Sequence, residues 1–191
     1  MPSRPSRRSD DLPDNKFGLT LQSELQQRET PLSLRRMLEL QQRPIGGDFN
    51  TAHLQAIHRY IFQDIYDWAG ELRTVTISKP DAPFPPPQFL KVSLDAVSAQ
   101  LASESCLKNL PVSVWAHRAA YFLGEINAVH PFREGNGRAQ REFIRELALA
   151  AGHRLVWART TQEEMIHASQ LSFLRKDYSA LESILAASLG L

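Results

Sequence analysis

The stretch HPFREGNGRAQREF, His130 to Phe143, sets a histidine, acids, arginines and a Gly-Asn-Gly turn where an ordinary amphipathic helix would alternate apolar and charged residues. Gly135-Asn136-Gly137 frees the backbone for positive φ, so successive N–H groups can converge on one point while Arg138 opens the next helix. That helix N-terminus adds about half a positive charge, which favours phosphate. Arg138 and Arg141 stand three apart and project from one helix face. Two guanidiniums so placed repel each other unless an anion lies between them, and a di- or triphosphate would satisfy both. Glu134 suits such a place if a divalent cation is present, because Mg²⁺ is commonly held by one or two carboxylates together with phosphate oxygens. His130 ends the preceding helix, and a neutral imidazole beside a Mg-nucleotide can take a proton from an incoming hydroxyl. Phe132 reads as an aromatic anchor that holds the loop at fixed height.

Upstream, helical spacing appears in LTLQSELQQRETPLSLRRMLELQQRP as pieces broken near Pro31. From Asn50 or Thr51 as cap, Leu54, Ile57, Ile61, Ile65 and Trp68 share one face, predicting a helix that stops at Ala69-Gly70. LRTVTIS, from Leu72, alternates like a strand, and the five prolines of KPDAPFPPPQF restrict its return limb to an edge or an irregular flap. Further helices start at Leu90, cover Trp115 to Asn127, and run from Arg138 to Ala150, the last closed by Gly152. Thr161 and Glu164 have capping-box spacing, and Asp177 can cap a final helix. The sum is an all-α bundle with one β-hairpin at about residues 72–89 and a disordered arm over residues 1–14.

Composition narrows the function. With 22 Lys+Arg against 21 Asp+Glu, there is no global basic field for nucleic acid, so any anion site is local. A lone Cys106 allows neither an internal disulfide nor a cysteine zinc cluster, which suits a reducing cytoplasm. No apolar run reaches membrane-spanning length. His53, His58, His117, His153 and His167 have no metal-ligand spacing, and Trp68, Trp115 and Trp157 read as core or interface aromatics.

The stretch resembles, at every fixed position, the signature of the Fic family, His-Pro-Phe-x-Asp/Glu-Gly-Asn-Gly-Arg-x-x-Arg. The likeness extends to IHRYIFQDIYDWAGELRTVTISK, Ile57 to Lys79, which is similar to the helix and hairpin start of bacterial Fic toxins. This resemblance implies a Fic domain over residues 15–191 that transfers AMP from ATP to a hydroxyl side chain of a target protein. It implies His130 as general base with Arg138 in the catalytic set, Glu134 as the Mg²⁺ ligand, and Gly135, Asn136, Gly137 and Arg138 around the α- and β-phosphates. Arg141 would fix the γ-phosphate, and the hairpin would be the flap that docks the target as an added strand. In the related Doc toxins, which move a γ-phosphate, lysine replaces the second glycine; Gly137 favours nucleotidyl transfer. A non-catalytic nucleotide-binding module would need neither His130 nor Glu134. Many Fic proteins carry an inhibitory Ser/Thr-x-x-x-Glu-Gly/Asn helix whose glutamate meets the second motif arginine. Thr20 to Glu24 and Thr160 to Glu164 match its first half only, so the resemblance implies an inhibitor on a separate small antitoxin.

Overall fold

The computed structural model describes residues 12–79 and 82–190. Helix α1 (Gln22–Gln42) runs unbroken through Pro31, where the sequence suggested separate pieces. Gln27 and Pro31 are both exposed, so water can serve the Gln27 carbonyl that loses its helical donor. Because the helix is continuous, Leu25, Glu29 and Ser33 stack at intervals of four on its inward face.

Asn50 caps α2 (Thr51–Phe62) by accepting the His53 N–H at 3.0 Å. The helix ends eight residues before the expected Gly70, and the chain goes on in tighter i→i−3 turns, with Ile65 N donating to the Phe62 carbonyl at 2.9 Å and Ala69 N to the Tyr66 carbonyl at 3.3 Å. Ile57, Ile61 and Ile65 are nevertheless all fully buried, so the apolar spacing survives a change from helix to turns. The expected strand over Leu72–Ser78 shrinks to β1 (Ser78–Lys79), paired antiparallel with β2 (Ala82–Pro83). Arg73 explains the difference: its N–H donates to the Pro131 carbonyl at 2.9 Å and its guanidinium engages the Val75 carbonyl, so this backbone bonds elsewhere than in a ladder. Prolines on the return limb remove donors as well.

After α3 (Leu90–Ser103), α4 (Val112–Val129) passes through the middle of the bundle, packing on α3, on α5 (Asn136–Ala150), on α6 (Gln162–Arg175) and on α7 (Ser179–Ser188). Its Trp115, Ala119, Phe122 and Ile126 are buried as the spacing predicts. Gly152 follows α5 at φ +84°, and Thr161 and Glu164 form the predicted capping box, with Thr161 N donating to Glu164 Oε2 at 2.8 Å. Asp177 Oδ1 accepts from Ser179 N at 3.0 Å at the start of α7. A second ladder that the sequence reading did not foresee joins β3 (Arg154–Leu155) to β4 (Leu189–Gly190). Of the arm expected over residues 1–14, residues 1–11 lie outside the described residues; Leu12 packs on the core, and the Asp14 carbonyl accepts from Trp68 Nε1 at 2.8 Å. The fold is an all-α bundle carrying one short antiparallel hairpin.

Candidate active site

The quoted stretch forms the turn from α4 to α5. His130 leaves α4 in the left-handed region at φ +49°, its N–H still donating to the Ile126 carbonyl at 3.2 Å. Asn136, 4 % exposed, accepts from Phe132 N and donates to the Phe132 carbonyl, both at 2.8 Å, closing the loop on itself. Its carboxamide is thus engaged within the loop, and what it offers an anion is its backbone N–H. Gly135 sits at φ +77°, and a Cβ there would lie 2.2 Å from Phe62 Cζ, so this position admits glycine alone. Its N–H donates to Glu134 Oε1 at 2.7 Å. The first N–H groups of α5 have no helical acceptor and point out at its N-terminus.

Three neighbours of this loop escaped the sequence reading. His58 Nδ1 accepts from Gly70 N at 2.9 Å, which leaves Nε2–H to donate to the Glu134 carbonyl at 2.9 Å. Its ring stacks on Phe132 at 3.8 Å, and burial lowers its pKa to about 4. A core histidine on an apolar helix face gives no sequence signal that it fastens a loop. Arg73 and Phe84 hold the loop from the hairpin side: Arg73 Nε donates to the His130 carbonyl at 2.8 Å, and Phe84 stacks on the His130 ring at 4.1 Å.

The two motif arginines differ sharply. Arg138 is answered by Glu29 of α1 in an ion pair, donates through Nη1 to Ser33 Oγ at 3.0 Å, and lies 4.6 Å from the centre of the Phe62 ring. Tyr66 OH donates to the other Glu29 oxygen, and burial together with that carboxylate raises the phenol's pKa. An anion between the arginines was expected from outside; the anion at Arg138 is a carboxylate of this chain. The one signal that could have pointed to Glu29, its line with Leu25 and Ser33, exists only if α1 continues through Pro31, which the sequence reading did not expect. Arg141 has no carboxylate partner among the described residues, and burial, then the neighbouring Arg138, lowers its pKa. It borders two cavities. The larger, about 610 Å³, lies between α1 and the start of α6 and is lined also by Glu29, Glu134, Arg138, Trp157 and Met165. The smaller, about 150 Å³, takes in His130, Gly137, Gln140, Asn127 and Ile166. A Cβ on Gly137 would stand 3.2 Å from Arg141 Nη1, so glycine leaves that guanidinium room beside the helix N-terminus.

Glu134 lines the larger cavity with its side chain 48 % exposed, and no other carboxylate joins it there except Glu29, which is taken by Arg138 and Tyr66. Among the described residues no cluster of three or more His, Cys, Asp or Glu could hold a metal ion unaided. One half-exposed carboxylate beside an anion cradle fits Mg²⁺ that arrives with phosphate oxygens, and does not fit a structural metal.

The Fic/DOC family model matches residues 48–148. "Protein adenylyltransferase VbhT" of Bartonella schoenbuchensis is 39 % identical over 159 residues, 83 % of this chain, although the match spans only 33 % of that longer protein. "Probable protein adenylyltransferase Fic" of Escherichia coli is 34 % identical over 174 residues, 91 % of this chain and 86 % of its own. Among solved structures, the Bartonella quintana Fic domain with bound ADP superposes with a TM-score of 0.86 at 25 % identity, covering 96 % of this chain and 92 % of that one. BepC from Bartonella tribocorum, with bound AMPPNP, has the same fold, with a TM-score of 0.86 at 24 % identity over 95 % of this chain and 93 % of that one. A model match over more than half of the residues, and relatives matched along most of the chain, make it a member of the Fic/DOC family.

Proposed function

We propose that this chain is a protein adenylyltransferase, moving AMP from Mg-ATP to a side-chain hydroxyl of another protein. The observation that carries the reading is Arg141: a desolvated cation without an acid partner among the described residues, repelled by Arg138 and set beside a glycine at a helix N-terminus. Such a group calls for an anion from outside. The names of the relatives and the nucleotide in the similar structure support adenine nucleotide as that anion.

In the proposed reaction, His130 takes the proton of the target hydroxyl while that oxygen bonds to the α-phosphorus. The bond from that phosphorus to the bridging oxygen breaks, and pyrophosphate leaves on the far side. Backbone N–H groups of Asn136, Gly137 and Arg138 hold the α- and β-phosphates, and Arg141 the γ-phosphate. Glu134 would hold Mg²⁺ with the phosphate oxygens, which supplies neutralisation of the leaving pyrophosphate. The target lies along the hairpin as an added strand. ATP and the lone thiol of Cys106 favour the cytoplasm as its place of action; no helix among the described residues is long and apolar enough to cross a membrane.

The matching test is intact-mass spectrometry of lysate proteins, and of the chain itself, after incubation with ATP and Mg²⁺. A gain of one AMP, lost in His130→Ala, is the expected result; a gain of one phosphate would move the chain to Doc-like chemistry. His130→Ala is expected to lower the rate about 10²–10⁴-fold while ATP binding survives. A regulator of the antitoxin kind, carrying Ser/Thr-x-x-x-Glu-Gly/Asn, would seat its helix in the larger cavity and place its glutamate on Arg141. Support for a separate chain comes from Glu164, whose carboxylate is engaged by its own helix cap, and from Glu24, which is exposed. If the chain expressed alone is harmless and Glu24→Gly makes it toxic, that part of the reading is wrong.

A further inference from the structure

Arg73 is 4 % exposed, and no carboxylate pairs with it among the described residues. A buried guanidinium is costly unless every donor finds an acceptor. Here the acceptors are main-chain carbonyls from two places. Nε donates to the His130 carbonyl at 2.8 Å, and Nη2 reaches the Val129 carbonyl at 3.4 Å, both at the C-terminal end of α4, where the helix dipole is negative. Nη1 donates to the Val75 carbonyl at 2.8 Å and Nη2 to the Pro85 carbonyl at 2.6 Å, one on each limb of the hairpin. Arg73's own N–H donates to the Pro131 carbonyl at 2.9 Å. Only the rigid five-donor fork of arginine spans such a set; the point charge of lysine does not.

Next to this clamp, Phe84 is 2 % exposed, and its ring stacks on the His130 imidazole at 4.1 Å with 15° between the planes. Phe173 of α6 backs it at 4.9 Å, and Phe84 N donates to the Ile77 carbonyl at 3.2 Å. The imidazole therefore cannot swing toward the hairpin without displacing Phe84, and Phe84 is placed by the limb that Arg73 holds through Pro85. We propose that Arg73 is a positioning residue for His130, acting through Phe84 and tying the orientation of the base to the conformation of the flap root. This rests on the reading of His130 as base. It gives the flap a second duty, since a target strand laid on the hairpin would steady the same root that aims the imidazole.

The test uses the full chain with isotope-labelled histidine, the His130 ring signals being assigned by their loss in His130→Asn. Phe84→Leu, which keeps an apolar side chain, removes the ring current and marks where unstacked His130 protons resonate. Arg73→Lys is expected to move these protons most of the way to that mark although Phe84 is intact, with the His58 signals unchanged. It is also expected to lower kcat about tenfold or more with ATP affinity essentially unaltered. Wild-type His130 shifts in folded Arg73→Lys overturn the proposal, as does a loss of ATP affinity that matches the loss of kcat. Should Arg73→Lys fail to fold, Phe84→Leu decides, because unchanged kcat in that variant removes the positioning role. If neither wild type nor variant transfers AMP while the ring-current pattern is as described, the reading of the chain as an AMP-transferring enzyme fails, and with it the catalytic part of this proposal; the hold of Arg73 on the His130 ring stands.

Discussion

Arg141 and Glu29 carry opposite lessons. Arg141 stood in the motif and could be named from the sequence, and its surroundings leave it a half-buried cation with no carboxylate partner among the described residues. Arg141→Ala is expected to weaken ATP binding by about tenfold or more, the worth of a charge-assisted bond to phosphate; isothermal titration with a non-hydrolysable analogue measures it, and wild-type affinity would refute the assigned contact. Glu29 lies outside the motif, yet both of its oxygens are engaged, by Arg138 and Tyr66. Glu29→Ala takes from a guanidinium and a phenol the carboxylate they share, leaving Arg138 only Ser33 Oγ and the more distant Glu134, so a destabilisation of about 2–4 kcal/mol is expected by urea unfolding. Motif residues were legible because their types and spacing announce chemistry. Glu29, His58 and Arg73 were not, because each acts through a contact distant in sequence that no local pattern encodes.

Helix boundaries followed hydrogen bonding rather than apolar spacing alone. α2 stops at Phe62 while its apolar series continues to Ile65, and the run from Leu72 turns the Arg73 N–H to the motif loop instead of a sheet. Where a cap residue was present the start was readable, to the residue at Thr161 and to one of two neighbours, Asn50 or Thr51, at α2. The link from α2 to the loop through His58 has a pH signature. Its folded pKa, about 4, lies below the ordinary value of 6.5, so the unfolded chain binds the proton more readily. The stabilisation is complete above the unfolded pKa and is lost as pH falls toward 4, amounting to about 2 kcal/mol between about pH 7.5 and pH 5. Urea midpoints at the two pH values check this against His58→Gln, in which that part of the dependence should vanish.

Because α4 touches α3, α5, α6 and α7 and also delivers His130, stability and the proposed chemistry share one helix. Phe122→Ala, at a fully buried position on α4, is expected to cost about 3–5 kcal/mol. Its effect is readable as a lowered urea midpoint, and residual activity below that midpoint should keep wild-type ATP affinity. The all-α class and the hairpin's place were visible in the periodicity; the small β3–β4 ladder was not, since two-residue pairings leave no pattern. The larger cavity has its floor in the motif loop and α5, and its walls in α1 and α6. Residues 48–148, which the family model matches, include the floor and neither wall. A shortened chain trimmed to those limits would keep every motif letter and yet strand Arg138, uncover the faces that Leu25 and Leu40 shield, and open that cavity on two sides. The smallest autonomous unit is therefore wider than the recognisable one, and ligand shape can be retuned by exchanging walls while the chemistry beneath stays untouched.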